Sequence, residues 1–194
     1  MMKVRYYSIG IIISCVLIFI FQNFFDLTIF SFIPSLALSM PWQFVTAIFL
    51  HANFPHLFFN MFALFLFGPY LENLIGSKRF LLVYFISGIF GNLAFFLLDP
   101  YSKIPAVGAS GAIYGILGTL AILQPYQIIY LYYVPVPMIL AAILWFIISV
   151  IGILGPPTSI GHQAHLAGLL FGFVFGSYIK IKLRRLRKRY FIQI

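Results

Sequence analysis

The chain has 194 residues, 63% of them hydrophobic and 8% charged, with a formal net charge of +9. A soluble domain carries about 25% charged residues, so this composition excludes one and points to an all-α polytopic membrane protein, a single bundle over residues 1–194. The positive balance invites a nucleic-acid reading, but eleven of the twelve Lys and Arg residues sit in three places: Lys3 and Arg5, Lys78 and Arg79, and Lys180 through Arg189. Clusters of this kind mark cytoplasmic segments. The charge therefore reads as topology first and as attraction to anionic lipid second, with no nucleic-acid partner.

In chain order, the first span covers about 8–25. It holds the only cysteine, Cys15, which excludes an internal disulfide. No small-residue cleavage site follows, so it is expected to be retained. Residues 26–50 are apolar but broken by Pro34 and Pro41, with Trp42 of an interfacial residue type; a structured loop on the outer leaflet is expected. The second span covers about 54–75, the third about 80–98, and Gly76 to Arg79 forms the turn between them. The fourth is a short helix over 110–124. Residues 125–136 form a loop with Tyr126, Tyr130, Tyr132 and Tyr133, an aromatic-belt composition. The fifth span covers about 137–154 and the sixth about 162–181, followed by a basic tail over 182–194. Six spans place both termini in the cytoplasm of a cell-membrane protein, in agreement with the basic clusters.

The fourth span organises the rest. Its 15 or so residues reach roughly 22 Å at 1.5 Å per residue, whereas a bilayer core is roughly 30 Å thick. With its lower end at one interface, its upper end stops below the other. Ser110 opens this helix between Gly108 and Gly111. Taken alone, Ser110 reads as a helix N-cap. Its surroundings suggest more. All four histidines, His51, His56, His162 and His165, fall at the same outer level, and Asn60 lies one turn below His56 on the same face.

His165, Gly168, Gly172 and Gly176 share one face of the sixth span. Gly111, Gly115 and Gly118 give the fourth span a matching face. Small-residue stripes let membrane helices approach closely, and packing these two would bring His165 beside Ser110. A neutral imidazole in reach of a serine hydroxyl is a base beside a nucleophile. The Ser110 N–H, the Asn60 amide and the His56 ring are candidate oxyanion donors. The only carboxylates, Asp26, Glu72 and Asp99, fall elsewhere by this topology, so a Ser–His dyad is expected, with Tyr114 packing against the imidazole in place of an acid. Glu72 is expected to pair with Lys78 or Arg79, and His51 to be structural, tying the loop to the second span. His162 either lines the site or bonds the outer loop. Neither cofactor nor metal is expected.

At this point the chain resembles a rhomboid intramembrane serine protease. Gly108-Ala-Ser110-Gly-Ala-Ile-Tyr114-Gly, His51-Ala-Asn-Phe-Pro-His56-Leu-Phe-Phe-Asn60 and Ala164-His165-Leu-Ala-Gly168-Leu-Leu-Phe-Gly172 carry the resemblance on three helices in the family's order. It implies Ser110 as nucleophile, His165 as base, and Asn60 and His56 at the oxyanion. It also implies a fifth span and outer loop that move to admit a substrate helix, and small residues at the cleavage point. Inactive relatives carry proline before the serine, or lose the serine or histidine; here position 109 is alanine. One departure is Trp42-Gln43, where some members have Trp-Arg. The expected function is an intramembrane serine endopeptidase that cleaves transmembrane segments of membrane proteins, with those helices and lipid as partners. The alternatives are an inactive rhomboid-like binder of membrane helices, a histidine-ligated metal protein, or a transporter.

Overall fold

The computed structural model describes residues 5–131, 133–156 and 158–191, with the side chains of the final helix described through Arg185. Tyr132 and the last residues of the basic tail lie outside the described residues. Seven α-helices are present among the described residues: α1 (Tyr7–Gln22), α2 (Gln43–Thr46), α3 (Phe54–Ile75), α4 (Ser77–Leu98), α5 (Ser110–Leu123), α6 (Met138–Leu154) and α7 (His162–Phe191). Six of them correspond to the expected spans, and the seventh, α2, is a four-residue helix within the first loop. α3, α4 and α7 are long and apolar enough to cross a membrane; α1, α5 and α6 are shorter apolar helices.

One expectation is corrected. The fold is not purely helical: residues 128–137 form an antiparallel ribbon, β1 (Ile128–Leu131) with β2 (Val134–Pro137), in place of an irregular loop. Its strands are rich in β-branched and aromatic residues, and Tyr133 takes a left-handed φ of 70° at the turn. The basic segment that follows the sixth span begins as part of the same helix. α7 continues to Phe191, because Lys, Arg and Leu are good helix formers and no breaker intervenes.

α3 and α4 are separated by Gly76 alone, whose φ of 84° is a conformation glycine adopts freely. α4 starts directly after it, three residues earlier than expected. The outer faces of α3 and α6 carry Phe58, Phe59, Phe62, Phe65, Ile143, Ile147 and Ile151, all exposed. In water such faces would be anomalous; against acyl chains they are the ordinary solution. Ten of the fourteen residues of α5 are instead buried, which makes it the axis of the bundle.

α7 packs most closely on that axis. A Cβ at Gly168 would collide with the Gly111 carbonyl, one at Gly172 with the Gly115 carbonyl, and one at Gly118 with the Leu169 carbonyl. The two glycine faces therefore meet along their length, as the spacing predicts. Thr119 Oγ1 donates to Gly115 O at 2.8 Å and lies 3.2 Å from Gly172 O, bridging the two helices.

The polar residues of α1 and the first loop find unexpected partners. Glu72 on α3 is fully buried and accepts from the N–H groups of Tyr7 and Ser8 and from Ser8 Oγ, at 2.9–3.0 Å. A carboxylate at a helix N-terminus is favoured by the dipole and the free N–H groups. The partner is thus the start of α1, where Lys78 or Arg79 was expected. At the far end of α1, Gln22 exchanges two hydrogen bonds with the backbone of His51. His51 so ties the loop to α1 rather than to α3.

Buried Gln43 accepts from Ile33 N–H at 3.0 Å and donates to Ile29 O at 3.1 Å. It pins the first loop from within, using a neutral amide. The loop in turn braces the segment before α5: Phe32 and Ala106 exchange backbone hydrogen bonds, and Gly108 N–H donates to Ala47 O at 2.9 Å.

Candidate active site

Ser110 is the first residue of α5, and Ala109 occupies the cap position with no side-chain cap bond. The serine hydroxyl is therefore not engaged as an N-cap. It stands 2.9 Å from His165 Nε2, from a residue 55 positions away on α7. Both side chains are half-buried. The pair exists because the glycine faces let α5 and α7 approach to backbone contact, so a short side chain spans the remaining gap.

His165 is held by rings. Tyr114 stacks on it with centroids 4.2 Å apart and planes 10° from parallel, and His162 meets it edge-on at 6.1 Å. Tyr114 lies one turn below Ser110 on the same helix, so one helix carries both the hydroxyl and the platform for the imidazole. Among the described residues no carboxylate bonds to His165.

His162 is buried and its Nδ1 has no partner among the described residues. A Cβ at Gly152 would strike its ring. The His162 ring is thus seated between α6 and His165, next to the pair, while its backbone N–H donates to Ile160 O of the outer loop at 2.9 Å. Gly152 is a residue the sequence did not single out, since a lone glycine in an apolar span carries no periodic signal.

Gly108 adopts φ +129°, which L side chains rarely take, and a Cβ there would meet His56 Nε2 at 2.8 Å. The His56 ring therefore lies against the glycine backbone two residues before Ser110. Asn53 caps α3 by accepting from the His56 N–H at 2.9 Å, which fixes where that ring emerges. Asn60 is buried, and its Nδ2 donates to His56 O at 2.8 Å. One amide hydrogen is so committed to its own helix, and the second is left for another acceptor. The buried His51 ring stands 5.2 Å from that of His56, with both nitrogens unpartnered among the described residues. Gly111 is buried under α7 and permits the approach rather than touching the hydroxyl.

Among the described residues no three His, Cys, Asp or Glu side chains cluster closely enough to hold a metal ion. What the arrangement offers is a hydroxyl, a ring nitrogen in hydrogen-bond contact with it, and the free N–H groups of a helix N-terminus beside both. These are the parts of acyl transfer.

Fold and site together define a membrane protein with a serine and an imidazole paired at the buried tip of a short helix. A family model described as Rhomboid domain matches residues 38–182, and the chain belongs to the rhomboid family. It is 51% identical over 77 residues to "Putative rhomboid protease YdcA" of Bacillus subtilis (strain 168), a match covering 40% of this chain and 38% of that protein. With "Rhomboid protease GluP" of the same organism it shares 48% over 79 residues, covering 41% and 15%. With "Rhomboid protein 1, mitochondrial" of Saccharomyces cerevisiae it shares 33% over 150 residues, covering 73% and 42%. The matches span less than half the length of each of these relatives. Rhomboid proteins are typically intramembrane serine proteases, but a further relative, from Arabidopsis thaliana, is named inactive.

Proposed function

We propose that this chain is an intramembrane serine endopeptidase that uses Ser110 and His165 as a dyad on the transmembrane segments of other membrane proteins. The observation that carries the reading is the 2.9 Å contact between Ser110 Oγ and His165 Nε2 across two helices. An extended substrate strand presents its carbonyl to Ser110 Oγ. His165 Nε2 takes the hydroxyl proton and later gives it to the leaving amine. The oxyanion meets the Ser110 N–H, the free hydrogen of the Asn60 amide and the His56 ring. Water then repeats the attack on the acyl-enzyme with His165 as base. Neither metal nor cofactor takes part.

In this reading the chain is one multi-pass membrane domain. Six of its helices span or enter the bilayer, and the basic clusters hold both termini in the cytoplasm. α6, seated on His162, and the loop after it would admit the substrate helix.

The test is cleavage of a transmembrane reporter by purified protein in liposomes. Ser110→Ala and His165→Ala should each abolish cleavage while the far-UV dichroism and melting behaviour stay unchanged. A serine-reactive fluorophosphonate should label the native protein, with chelator present, and not Ser110→Ala. Unlabelled native protein would support an inactive helix binder, against which the retention of Ser110 and His165 and the alanine at 109 now count. Ion flux in liposomes that survives Ser110→Ala would favour a transporter.

A further inference from the structure

The basic end of the bundle holds a groove of about 250 Å³ between the ends of α3 and α5 and the last turns of α7. It is far roomier than the 10–15 Å³ or so that one water needs. Leu74, Ile75, Leu123 and Leu183 line it with apolar surface, and Lys180 and Arg184 bring cations to it, one helical turn apart on α7.

Two helix C-termini meet here, and their carbonyls would repel an anion. Both are already answered. Lys180 Nζ donates to Ile122 O at 2.9 Å, and Arg79 donates to Ile75 O at 3.3 Å. The ammonium has two further donors. Exposed Arg184 has no partner among the described residues, and Glu72, the carboxylate of α3, faces the start of α1 instead. The groove thus pairs an unneutralised guanidinium with an apolar floor at one end of a bilayer-embedded bundle.

We infer that this groove binds one anionic phospholipid, its phosphate on Arg184 and Lys180 and the start of one acyl chain on Leu74, Leu123 and Leu183. A zwitterionic lipid carries a cation that Arg184 repels, and a free phosphate leaves the apolar floor uncovered. The inference rests on the membrane reading but not on hydrolysis, so Ser110→Ala protein should bind the lipid as the native protein does.

The test is native mass spectrometry of the detergent-solubilised protein titrated with dioleoyl phosphatidylglycerol or dioleoyl phosphatidylcholine. One phosphatidylglycerol should bind at least about fivefold more tightly than phosphatidylcholine, the scale of one basic side chain at an anionic surface. Arg184→Gln should bring that preference close to unity. Arg185→Gln, which removes the same charge outside the groove, should leave it within about twofold on the same scale. Leu123→Trp, which fills the groove and keeps its charge, should displace both lipids; Leu183→Gln, at an exposed position, serves if that variant misfolds. Equal losses for Arg184→Gln and Arg185→Gln would reduce the effect to diffuse attraction and overturn the site. So would lipid displacement by millimolar inorganic phosphate, or undiminished binding in both groove-lining variants.

Discussion

The rings of Tyr114 and His165 lie face to face, 4.2 Å apart and 10° from parallel. The imidazole of α7 is thereby held by a side chain of the helix that carries the serine. A hydrogen-bonded acid would fix one nitrogen of the ring; a stacked phenol fixes the plane and leaves the edge nitrogen directed at Ser110 Oγ.

That stacking predicts a graded effect. Tyr114→Phe keeps the face and should retain nearly full activity. Tyr114→Ala should slow acyl transfer by roughly fivefold, since an aromatic pair is worth about 0.5–1.5 kcal/mol beyond its area. The loss should fall on kcat rather than KM. Equal kcat in the two variants would show that the ring is packing alone.

Asn60 should behave as an oxyanion donor with a second duty. Asn60→Ala should raise the barrier by about 3 kcal/mol, read as a fall in kcat with little change in substrate affinity. Loss of the bond to His56 O should cost stability as well, by about 1 kcal/mol. Wild-type turnover in Asn60→Ala would remove the amide from the chemistry.

The glycine contacts predict opposite outcomes at two glycines. Gly168→Ala places a methyl group against the Gly111 carbonyl; forcing the helices apart should cost about 1–3 kcal/mol. It should also part Ser110 from His165. Gly10, on α1, has nothing within 4 Å of an added Cβ, so Gly10→Ala should be neutral or stabilising by up to about 1 kcal/mol. Equilibrium unfolding in mixed micelles measures both, and equal effects would contradict the packing described.

Gln43 predicts a local defect. Gln43→Leu leaves the Ile33 N–H without its acceptor, at about 1–3 kcal/mol, while the Ile29 carbonyl keeps the Trp42 indole N–H. Hydrogen exchange at Ile33 should speed markedly while exchange in α7 is unchanged. Protection equal to the native protein's would mean that the loop is held by its apolar contacts, Phe32 on Phe44 among them.

What the sequence made legible was whatever repeats or breaks. The glycine stripes of α5 and α7 follow from spacing, and their register brings Ser110 to His165 without further information. Pro125 ends α5, and the α3 bounds match at both ends because Asn53 and Gly76 punctuate them. What stayed hidden depends on partners distant in sequence. Glu72 pairs with backbone N–H groups 64 and 65 residues away, and a backbone donor has no residue type to read. Nearby Lys78 and Arg79 looked better by charge alone. Gln43 stands where some rhomboid proteins have an arginine, and only the folded loop reveals the backbone groups its amide bonds. The ribbon at 128–137 is hidden in the sequence because residues 135 and 137 are prolines, which argue against a strand unless its edge is free. Both lie on β2, and in a two-stranded ribbon every strand keeps a free edge.

The ribbon at the far end of α5 also sets a scale. Tyr126, Tyr130 and Tyr133 are exposed there, and interfacial tyrosines hold their segment at headgroup level. α5 is a rod of 14 residues, about 21 Å from that level to the serine. The scissile depth is then counted from one leaflet only. Thickening the bilayer raises the opposite surface and leaves the hydroxyl where it was. Measured from its outer end, the cut in a substrate helix should move inward by about one residue for every 1.5 Å of added lipid, which fragment mapping in short- and long-chain vesicles would reveal.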